Sequence, residues 1–526
     1  MRDFHLPGRS AVYATNGMAA TSHPLASKVA VDLLERGGNA VDAAIGAAVL
    51  LGLCEPQMTG LGGDCFVLLA PGGGDDRILA LNGSGRAPAA ARAAALRETG
   101  HGVVPLESAH AVTVPGAVDA FCRLSQEWGR LGLAESLAPA IRYAEEGVPV
   151  APRTAFDWSI AADRLSGRAR EAYLLAGAAP RPGEIFRAPG QAEVLRRIAR
   201  DGRRAFYEGE VAEDMLSTLR AAGGAHAADD FAQNRCDWAE PVAGRYKGVE
   251  LVEHPPNGQG ATAILMANIL SQFDLPALDP MGADRAHLEA EAAKLAYDAR
   301  NRFMADPDRT ARLAHMLDPE TALRLAQLIR MDRVLPDARA ASEAVHRDTV
   351  YLTVVDRNRM TVSLIYSIFH SFGAGLASDK FGILFQNRGA GFTLEAGHPN
   401  EYGPGRRPMH TIIPAMLREG GRPTLSFGVM GGQFQPAGHV RLLTNLRDYG
   451  MELQEAVDRP RSFPDGGDMK IERGYDDSVL AELADRGHRI AIPDTPLGGA
   501  QAIRIHEDGM LEGASDPRKE GCALGY

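Results

Sequence analysis

The nine residues Asp348-Thr349-Val350-Tyr351-Leu352-Thr353-Val354-Val355-Asp356 decide how this chain is interpreted. Between the two aspartates the residues are mostly β-branched or aromatic, which is typical of a β-strand. A threonine in such a strand is ordinary by itself. If the Asp348-Thr349 bond were cut, however, Thr349 would carry a hydroxyl nucleophile and a free α-amine able to act as its general base. An α-amine has a pKa of about 7.7 to 8.0, so part of it is neutral near pH 7.

The composition is that of a large globular protein. A chain of 526 residues with 45% hydrophobic residues exceeds the size of one simple core, so either two domains or one large layered domain is expected. The net charge of -11 comes without long runs of like charge, which argues against nucleic acid as a partner. The sequence shows neither a signal peptide nor an apolar stretch long enough for a membrane span, which predicts a cytoplasmic location.

The five cysteines are scattered along the chain without metal-ligand spacing. They predict neither a disulfide framework nor a structural zinc site. The chemistry considered for Thr349 needs only an amine, a hydroxyl and backbone donors. We therefore expect no metal and no organic cofactor.

The N-terminal part predicts two helices followed by two strands. Pro24 suits a first helical position, Gly37-Gly38 ends that helix at residue 36, and Asn39 caps a second helix from 40 to 53. The second helix is apolar nearly all round and is therefore expected in the core. The runs 66–70 and 78–81 are continuous and apolar, which predicts strands of a sheet covered on both faces.

The rest of the chain predicts a mainly helical middle followed by strands. Helical periods dominate from about 117 to 329, most clearly over 288–303. Residues 336–347 show no apolar period, which predicts a flexible segment leading into Thr349. Strands are expected at 350–355, 361–366, 411–417, 424–429 and 502–506.

Short motifs are spread, in order, from one end of the chain to the other. They are Gly17–Pro24, Arg36–Ala44, Glu55–Asp64, Val114–Val118, Pro255–Gly258, Tyr297–Arg300, Asp306-Pro307, Asp348-Thr349, Phe372–Gly375, Arg407-Pro408, Gly431-Gly432 and Gly513–Arg518. Any one of them is a weak signal. Together they resemble the γ-glutamyltranspeptidase family of N-terminal nucleophile hydrolases over the whole chain.

The resemblance implies an α/β fold, a four-layer αββα sandwich with a large helical portion. It implies self-cleavage into a large subunit, residues 1–348, and a small catalytic subunit, residues 349–526, with the cut between Asp348 and Thr349. The two subunits are expected to remain associated in one compact domain, because the strands of the sheets are divided between them. A homo-oligomer of the processed heterodimer is possible.

The resemblance also assigns roles around Thr349. Ser367 matches the residue that hydrogen-bonds the nucleophile's oxygen, although a buried structural serine is the alternative. Gly431 and Gly432 match the pair whose backbone N–H groups form the oxyanion hole, the alternative being a simple turn. Donors must come within about 3 Å of the developing oxyanion, and glycine removes the side chain that would obstruct the loop.

Two residues depart from the pattern expected for γ-glutamyl donors. Gly391 stands where the family has the aspartate that binds the donor's α-ammonium. Arg388, nearby, replaces a neutral or acidic residue and brings a permanent cation that suits a carboxylate and repels an ammonium. The alternative for Arg388 is a structural ion pair.

The resemblance implies further substrate-binding residues, and their identities also differ from those expected for γ-glutamyl donors. Phe369 replaces an asparagine that hydrogen-bonds the donor. His410 and Thr411 replace a Ser-Ser pair that holds the donor's carboxylate; Thr411 keeps a hydroxyl, and His410 is expected to be able to add a second positive group. Arg86 lies two residues out of register with the family's carboxylate-binding arginine. Tyr402 corresponds to a tyrosine of the lid, which is shorter here.

The function expected from these residues is self-processing amide hydrolysis of a small anionic substrate without a free α-amino group. The segment Asn387-Arg388-Gly389 is similar to that of family members such as oxamate amidohydrolase and the acylase-like members. Glutathione hydrolysis or γ-glutamyl transfer is the alternative activity. A non-catalytic binding protein is the alternative of another class.

Overall fold

The computed structural model describes residues 4–5, 8–335 and 349–526. The predicted flexible segment 336–347 and Asp348 of the predicted cleavage site lie outside these residues, so expectations about them stay predictions. Among the described residues, no helix is both long and apolar enough to cross a bilayer.

Two seven-stranded antiparallel sheets form the centre of the molecule. The first sheet runs in the order Val12–Ala14, Leu511–Ser515, Gly499–Ile505, Arg422–Met430, Ala415–Glu419, Val249–Glu253 and Val242–Tyr246. The second sheet runs in the order Cys522–Gly525, Met18–Thr21, Val350–Val355, Thr361–Ser367, Asp64–Ala70, Leu79–Gly83 and Asp237–Ala239. Each sheet therefore combines strands from before residue 336 with strands from after residue 348.

The inner faces of the two sheets pack on one another. One buried cluster joins Phe66, Tyr351 and Ile365 of the second sheet to Ile412 and Met430. Full burial of each such side chain stabilises the fold by roughly 1.5 to 3 kcal/mol. A direct contact of 2.6 Å between the hydroxyls of Thr353 and Ser426 also links the two sheets.

Helices cover the outer faces of both sheets. Pro24–Glu35 and Ala40–Cys54 share a hydrophobic core with the second sheet. Gly260–Leu270, Ala283–Phe303 and Gln435–Arg447 do the same for the first sheet. The order helix, sheet, sheet, helix confirms the four-layer αββα fold predicted from the family resemblance.

The remaining helices form the periphery and the large helical portion. They are Ala93–Glu98, Ala117–Trp128, Leu133–Glu146, Pro152–Ala161, Gly167–Tyr173, Pro189–Asp201, Arg204–Tyr207, Gly209–Ala221, Ala228–Ala232, Leu313–Leu317, Pro319–Ala326, Leu453–Asp458 and Asp477–Asp485. One minor sheet pairs Val148–Pro149 with Ile185–Phe186. In the other, Asp468–Ile471 lies between Ser462–Asp465 and Ile490–Ala491 and pairs with both.

The predicted N-terminal helices agree closely with the structure. Pro24 is the first residue of its helix, and the side chain of Asn39 accepts hydrogen bonds from the start of the next. Every residue of Ala40–Cys54 is buried, as its all-round apolar sequence predicts. The mainly helical middle, in contrast, also contains three strands between 237 and 253 that the sequence did not reveal.

Candidate active site

Thr349 lies at the start of a central strand of the second sheet. It directly precedes Val350–Val355 and is 2% exposed. The antiparallel register pairs Val350 with Tyr366, which brings Thr349 beside Ser367. Thr349 Oγ1 donates a hydrogen bond of 3.3 Å to Ser367 Oγ. The pairing of two strands thus creates the contact predicted for these residues.

Arg388 extends this contact into a chain of polar side chains. Its Nη2 donates to Ser367 Oγ at 3.0 Å, and its Nη1 donates to Thr411 Oγ1 at 2.9 Å. The guanidinium carbon lies 4.0 Å from the centre of the Phe369 ring. Arg388 is 0% exposed. The structure therefore brings Thr349, Ser367, Arg388 and Thr411 together in one buried network.

A buried carboxylate, Asp64, lies beside this network. It pairs in register with Ser367 across the second sheet. Its Oδ1 accepts hydrogen bonds from the backbone N–H groups of Gly85 at 2.9 Å and Gly116 at 3.0 Å, and from Gln386 Nε2 at 2.9 Å. Burial raises the pKa of Asp64 to about 6, and the charge of Arg388 is the largest influence lowering it. Near pH 7 an ionised Asp64 therefore offsets part of the positive charge of Arg388.

Asp64 is the last residue of the motif Glu55–Asp64, but the sequence did not predict it as a site residue. Its sequence signal is a charged residue that follows Gly62-Gly63 and begins the otherwise apolar strand Asp64–Ala70. A charged side chain at that position needs buried partners. Its partners come from distant parts of the chain, so the sequence alone does not identify them.

Replacing Asp64 with asparagine is expected to change how stability depends on pH. The pKa of Asp64 is raised from 3.8 to about 6, so its contribution to stability is full below about pH 4 and is lost as pH rises through 6. The asparagine side chain cannot ionise and avoids this loss, roughly 3 kcal/mol at about 1.4 kcal/mol per pKa unit. Urea unfolding of the wild type and Asp64→Asn at pH 4 and 8 measures most of the difference. Parallel pH dependences would contradict the assignment.

His410 is fully buried between Arg388 and Asp64. Burial lowers its pKa well below the usual value, and the charges of Arg388 and His254 lower it further. The backbone N–H of Ile412 donates to Nδ1 at 3.4 Å, so the ring proton lies on Nε2, 3.3 Å from Asp64 Oδ2. Burial and the neighbouring arginine weigh against a positive charge on this imidazole, whereas the Asp64 carboxylate favours one, so the expectation that His410 adds a second positive group stays a prediction.

Gly431 and Gly432 form a tight loop at the cavity that contains Thr349. Their φ angles are +123° and +55°, a region that favours glycine. A Cβ atom on Gly431 would lie 2.4 Å from the carbonyl oxygen of Leu497, so no side chain fits there. Gly431 and Thr349 both line a cavity of about 90 Å³. The loop thus has the small residues and the location that an oxyanion hole requires.

The cavity has a mixed electrostatic rim. Arg153, Lys470 and Lys519 line it together with Asp157 and Asp465. Arg153 Nε pairs with Asp157 at 2.8 Å, and Lys470 pairs with Asp465 at 2.6 Å. Most of the rim charge is therefore compensated by neighbouring groups.

The loop around Gly391 leaves little room for an acidic side chain. A Cβ atom on Gly391 would lie 2.8 Å from the carbonyl oxygen of Met409. The carbonyl of Gly391 accepts a hydrogen bond of 2.7 Å from Asn400 Nδ2, which fixes the loop. An aspartate at this position would require the Met409 segment to move.

Tyr402 lies in the segment 399–407 that corresponds to the lid, and Arg86 contacts this segment. Arg86 is 37% exposed, pairs with Asp306 at 3.3 Å, and donates to the carbonyl of Gly405 at 3.1 Å. Tyr402 packs edge-on against Phe392, with 5.4 Å between ring centres. These contacts tie both residues to the lid segment and to neighbouring elements. Their roles in substrate binding stay predictions.

Among the residues that the structure describes, His287, Glu291 and His488 form a group that could hold a metal ion. His287 Nδ1 lies 2.8 Å from His488 Nε2, the distance of a direct hydrogen bond. Two nitrogens bound to tetrahedral zinc lie about 3.3 Å apart. Glu291 pairs with Lys294 at 2.5 Å. The observed contacts are therefore those of a hydrogen-bonded cluster that joins the helix Ala283–Phe303 to His488.

Comparisons with known proteins agree on one relationship. The family profile described as Gamma-glutamyltranspeptidase matches residues 26–526. The chain is 35% identical over 530 residues to the Glutathione hydrolase-like YwrD proenzyme of Bacillus subtilis, covering 98% of this chain and 99% of the relative. It is 34% identical over 535 residues to the oxamate amidohydrolase proenzyme of Klebsiella pneumoniae, covering 98% and 99%. The crystal structure of cephalosporin acylase from Bacillus halodurans matches with a TM-score of 0.92 and 36% identity, over 100% of this chain and 99% of that chain.

Proposed function

The chain belongs to the gamma-glutamyltranspeptidase family, as its motifs predicted, and we propose that it is a self-processing amidohydrolase with an N-terminal threonine nucleophile. Family membership makes it an amide-bond hydrolase of the N-terminal nucleophile class. The proposed substrate is a small anionic amide such as oxamate. Thr349, Ser367, Arg388, Thr411 and the Gly431-Gly432 loop carry the proposal.

Maturation is proposed to be intramolecular. The hydroxyl oxygen of Thr349 attacks the carbonyl carbon of Asp348, the peptide nitrogen is displaced to give an ester, and water hydrolyses the ester. The products are fragments 1–348 and 349–526, the latter with a free α-amine. The proenzyme names of both sequence relatives support this route. Because both fragments contribute strands to both sheets, they are expected to stay associated.

The same groups then act on the substrate. The α-amine of Thr349 takes the hydroxyl proton as the oxygen attacks the amide carbon. Ser367 Oγ, 3.3 Å away, orients the attacking oxygen, and its own hydroxyl donates to that oxygen once the Thr349 proton has passed to the amine. The backbone N–H groups of Gly431 and Gly432 stabilise the oxyanion. The amine leaving group departs with a proton, and water hydrolyses the acyl ester. Removing one such oxyanion donor costs about 10²- to 10³-fold in kcat in other enzymes.

The position of Arg388 carries the choice of substrate. Ser367 Oγ lies 3.3 Å from Thr349 Oγ1 and 3.0 Å from Arg388 Nη2. The Nη2 atom of Arg388 is therefore no more than about 6 Å from Thr349 Oγ1. This separation fits an acyl group whose carboxylate lies close to the scissile carbonyl. In oxamate the carboxylate is bonded directly to the amide carbon. Thr411, the other hydroxyl held by Arg388, supplies a second group for the same carboxylate.

Glutathione hydrolysis or γ-glutamyl transfer is the alternative, supported by the name of the Bacillus subtilis relative. A γ-glutamyl donor carries an α-ammonium, which this site would have to accept beside Arg388. An unpaired charge in a partly desolvated site costs on the order of 2 to 5 kcal/mol. Gly391 supplies no carboxylate to offset it. A non-catalytic binding protein is disfavoured by the contact between Thr349 and Ser367 beside the Gly431 cavity.

The proposal is tested by comparing kcat/KM of the wild type for oxamate and for glutathione. We expect oxamate to be preferred by roughly 30-fold or more, since each tenfold corresponds to about 1.4 kcal/mol. Ammonia release measures the first reaction, and glutamate release measures the second. A tenfold preference for glutathione would instead identify a conventional γ-glutamyl hydrolase.

A further inference from the structure

Two motifs of the family have no role in the chemistry described above. Pro255–Gly258 and Tyr297–Arg300 come from different parts of the chain before residue 336. In the structure, Tyr297, Arg300 and Gln259, the residue that follows the first motif, converge on the loop that contains Gly432 and Gln433. This convergence gives Gln259 and the second motif a common purpose.

The side chain of Gln259 links the two halves of the proposed site. It is fully buried, and its Nε2 donates to the carbonyl oxygen of Thr411 at 2.6 Å and to that of Gly432 at 3.1 Å. Its Oε1 accepts a hydrogen bond of 2.7 Å from Arg300 Nη1. Each polar atom of this amide therefore has a partner, and only one orientation of the amide provides all three bonds.

Arg300 and Tyr297 hold the next residue of the loop. Arg300 Nη1 also donates to Gln433 Oε1, and the hydroxyl of Tyr297 donates to the backbone carbonyl of Gln433. The guanidinium of Arg300 lies 4.4 Å from the centre of the Tyr297 ring, and Arg300 is 2% exposed. These contacts fix the guanidinium, which in turn fixes the Gln259 amide.

The consequence for catalysis follows from peptide geometry. The carbonyl of Gly432 belongs to the Gly432–Gln433 peptide, which is planar, so holding that carbonyl fixes the peptide that directly follows the two donor N–H groups. The Gly431–Gly432 peptide can then turn only through the backbone angles of the two glycines. Gly431 and Gly432 are otherwise the most freely rotating residues of the loop. Oxyanion donors act well only when they are already oriented before the reaction.

We infer that Gln259, Arg300 and Tyr297 are positioning residues that orient the Gly431–Gln433 loop for oxyanion stabilisation. The inference rests on the proposed function. It gives the segment before residue 336 an indirect part in the reaction, since its side chains hold Thr411, Gly432 and Gln433 of the segment after residue 348. Their effect is expected in the transition state and not in the binding of substrate.

The test uses Gln259→Met and Arg300→Met in the full-length protein, assayed on the amide that the wild type hydrolyses fastest. Each variant is expected to lose roughly 10- to 100-fold in kcat, with KM changed by less than about threefold, because transition-state interactions are lost selectively. Arg300→Lys is expected to recover part of kcat, because an ammonium can still donate to Gln259 and Gln433.

Arg285→Met is the matched control. Arg285 lies in the same helix as Arg300 and is 1% exposed, but it bonds Glu289, Thr444 and Asn445, not the Gly431–Gln433 loop. It should lower the melting temperature about as much as Arg300→Met while leaving kcat near the wild-type value. Equal losses of kcat in the two variants would mean that any buried arginine of this helix matters, and would overturn the inference.

Tyr297→Phe provides a variant that removes a single hydroxyl and is expected to fold. It should lower kcat by about tenfold through release of the Gln433 carbonyl. Wild-type kcat in Tyr297→Phe and Gln259→Met would overturn the positioning role even if Arg300→Met does not fold. A wild type that stays uncut and hydrolyses neither oxamate nor glutathione would instead refute the proposed function.

Discussion

Replacing Thr349 with alanine is expected to leave one full-length chain and to abolish amide hydrolysis. The variant loses the hydroxyl that attacks the Asp348 carbonyl during maturation, and with it the route to a free α-amine. Loss of a nucleophile in comparable hydrolases costs on the order of 10⁴-fold or more in kcat. Intact-mass measurement gives the first result, and ammonia release from oxamate gives the second.

Two further variants make this test specific. Thr353→Ala removes another buried threonine hydroxyl from the same strand, where it contacts Ser426 in the other sheet. It should reduce stability but still yield a small fragment that begins at Thr349. Thr349→Ser keeps the hydroxyl and should process slowly with some activity. Two fragments from Thr349→Ala, or an active but uncut wild type, would disprove the nucleophile assignment.

The sequence predicted most of the elements that position Thr349. The strands at 350–355 and 361–366 were expected at nearly their observed bounds, because apolar and β-branched residues fill both. The four-layer arrangement came from the family resemblance and is confirmed. The strands Val242–Tyr246 and Val249–Glu253 were not predicted, since the first is partly exposed at the edge of its sheet and both lie within the part of the sequence where helical periods dominate.

The contacts within the site were harder to predict because they join distant residues. Strand pairing explains why Ser367 meets Thr349, and the family pattern named both residues. No local pattern reveals that Asp64 lies beside Arg388, or that Gln259 holds the carbonyls of Thr411 and Gly432. The pKa of His410 is also beyond sequence reasoning, because the burial that lowers it is a property of the folded chain.

Arg388→Ala is expected to lower kcat/KM for oxamate by roughly 30-fold or more, since a charge-assisted contact to the substrate carboxylate is worth on the order of 2 to 5 kcal/mol. The same change removes a cation that opposes the α-ammonium of glutathione. The ratio of kcat/KM for oxamate to that for glutathione should therefore fall by more than kcat/KM for oxamate does. Self-cleavage should persist, because the Thr349–Asp348 reaction needs no substrate carboxylate.

The comparison of Arg388→Lys with Arg388→Ala separates charge from geometry. Lysine keeps the positive charge, but it lacks the two nitrogens of a planar guanidinium that donate to Ser367 and Thr411. It also cannot stack on the Phe369 ring in the same way. It should recover only part of the preference for oxamate. Arg285→Ala, which removes a buried arginine bonded elsewhere, should leave the substrate ratio unchanged. If Arg388→Ala leaves that ratio unchanged as well, Arg388 holds the loop together as a structural residue and another group selects the substrate.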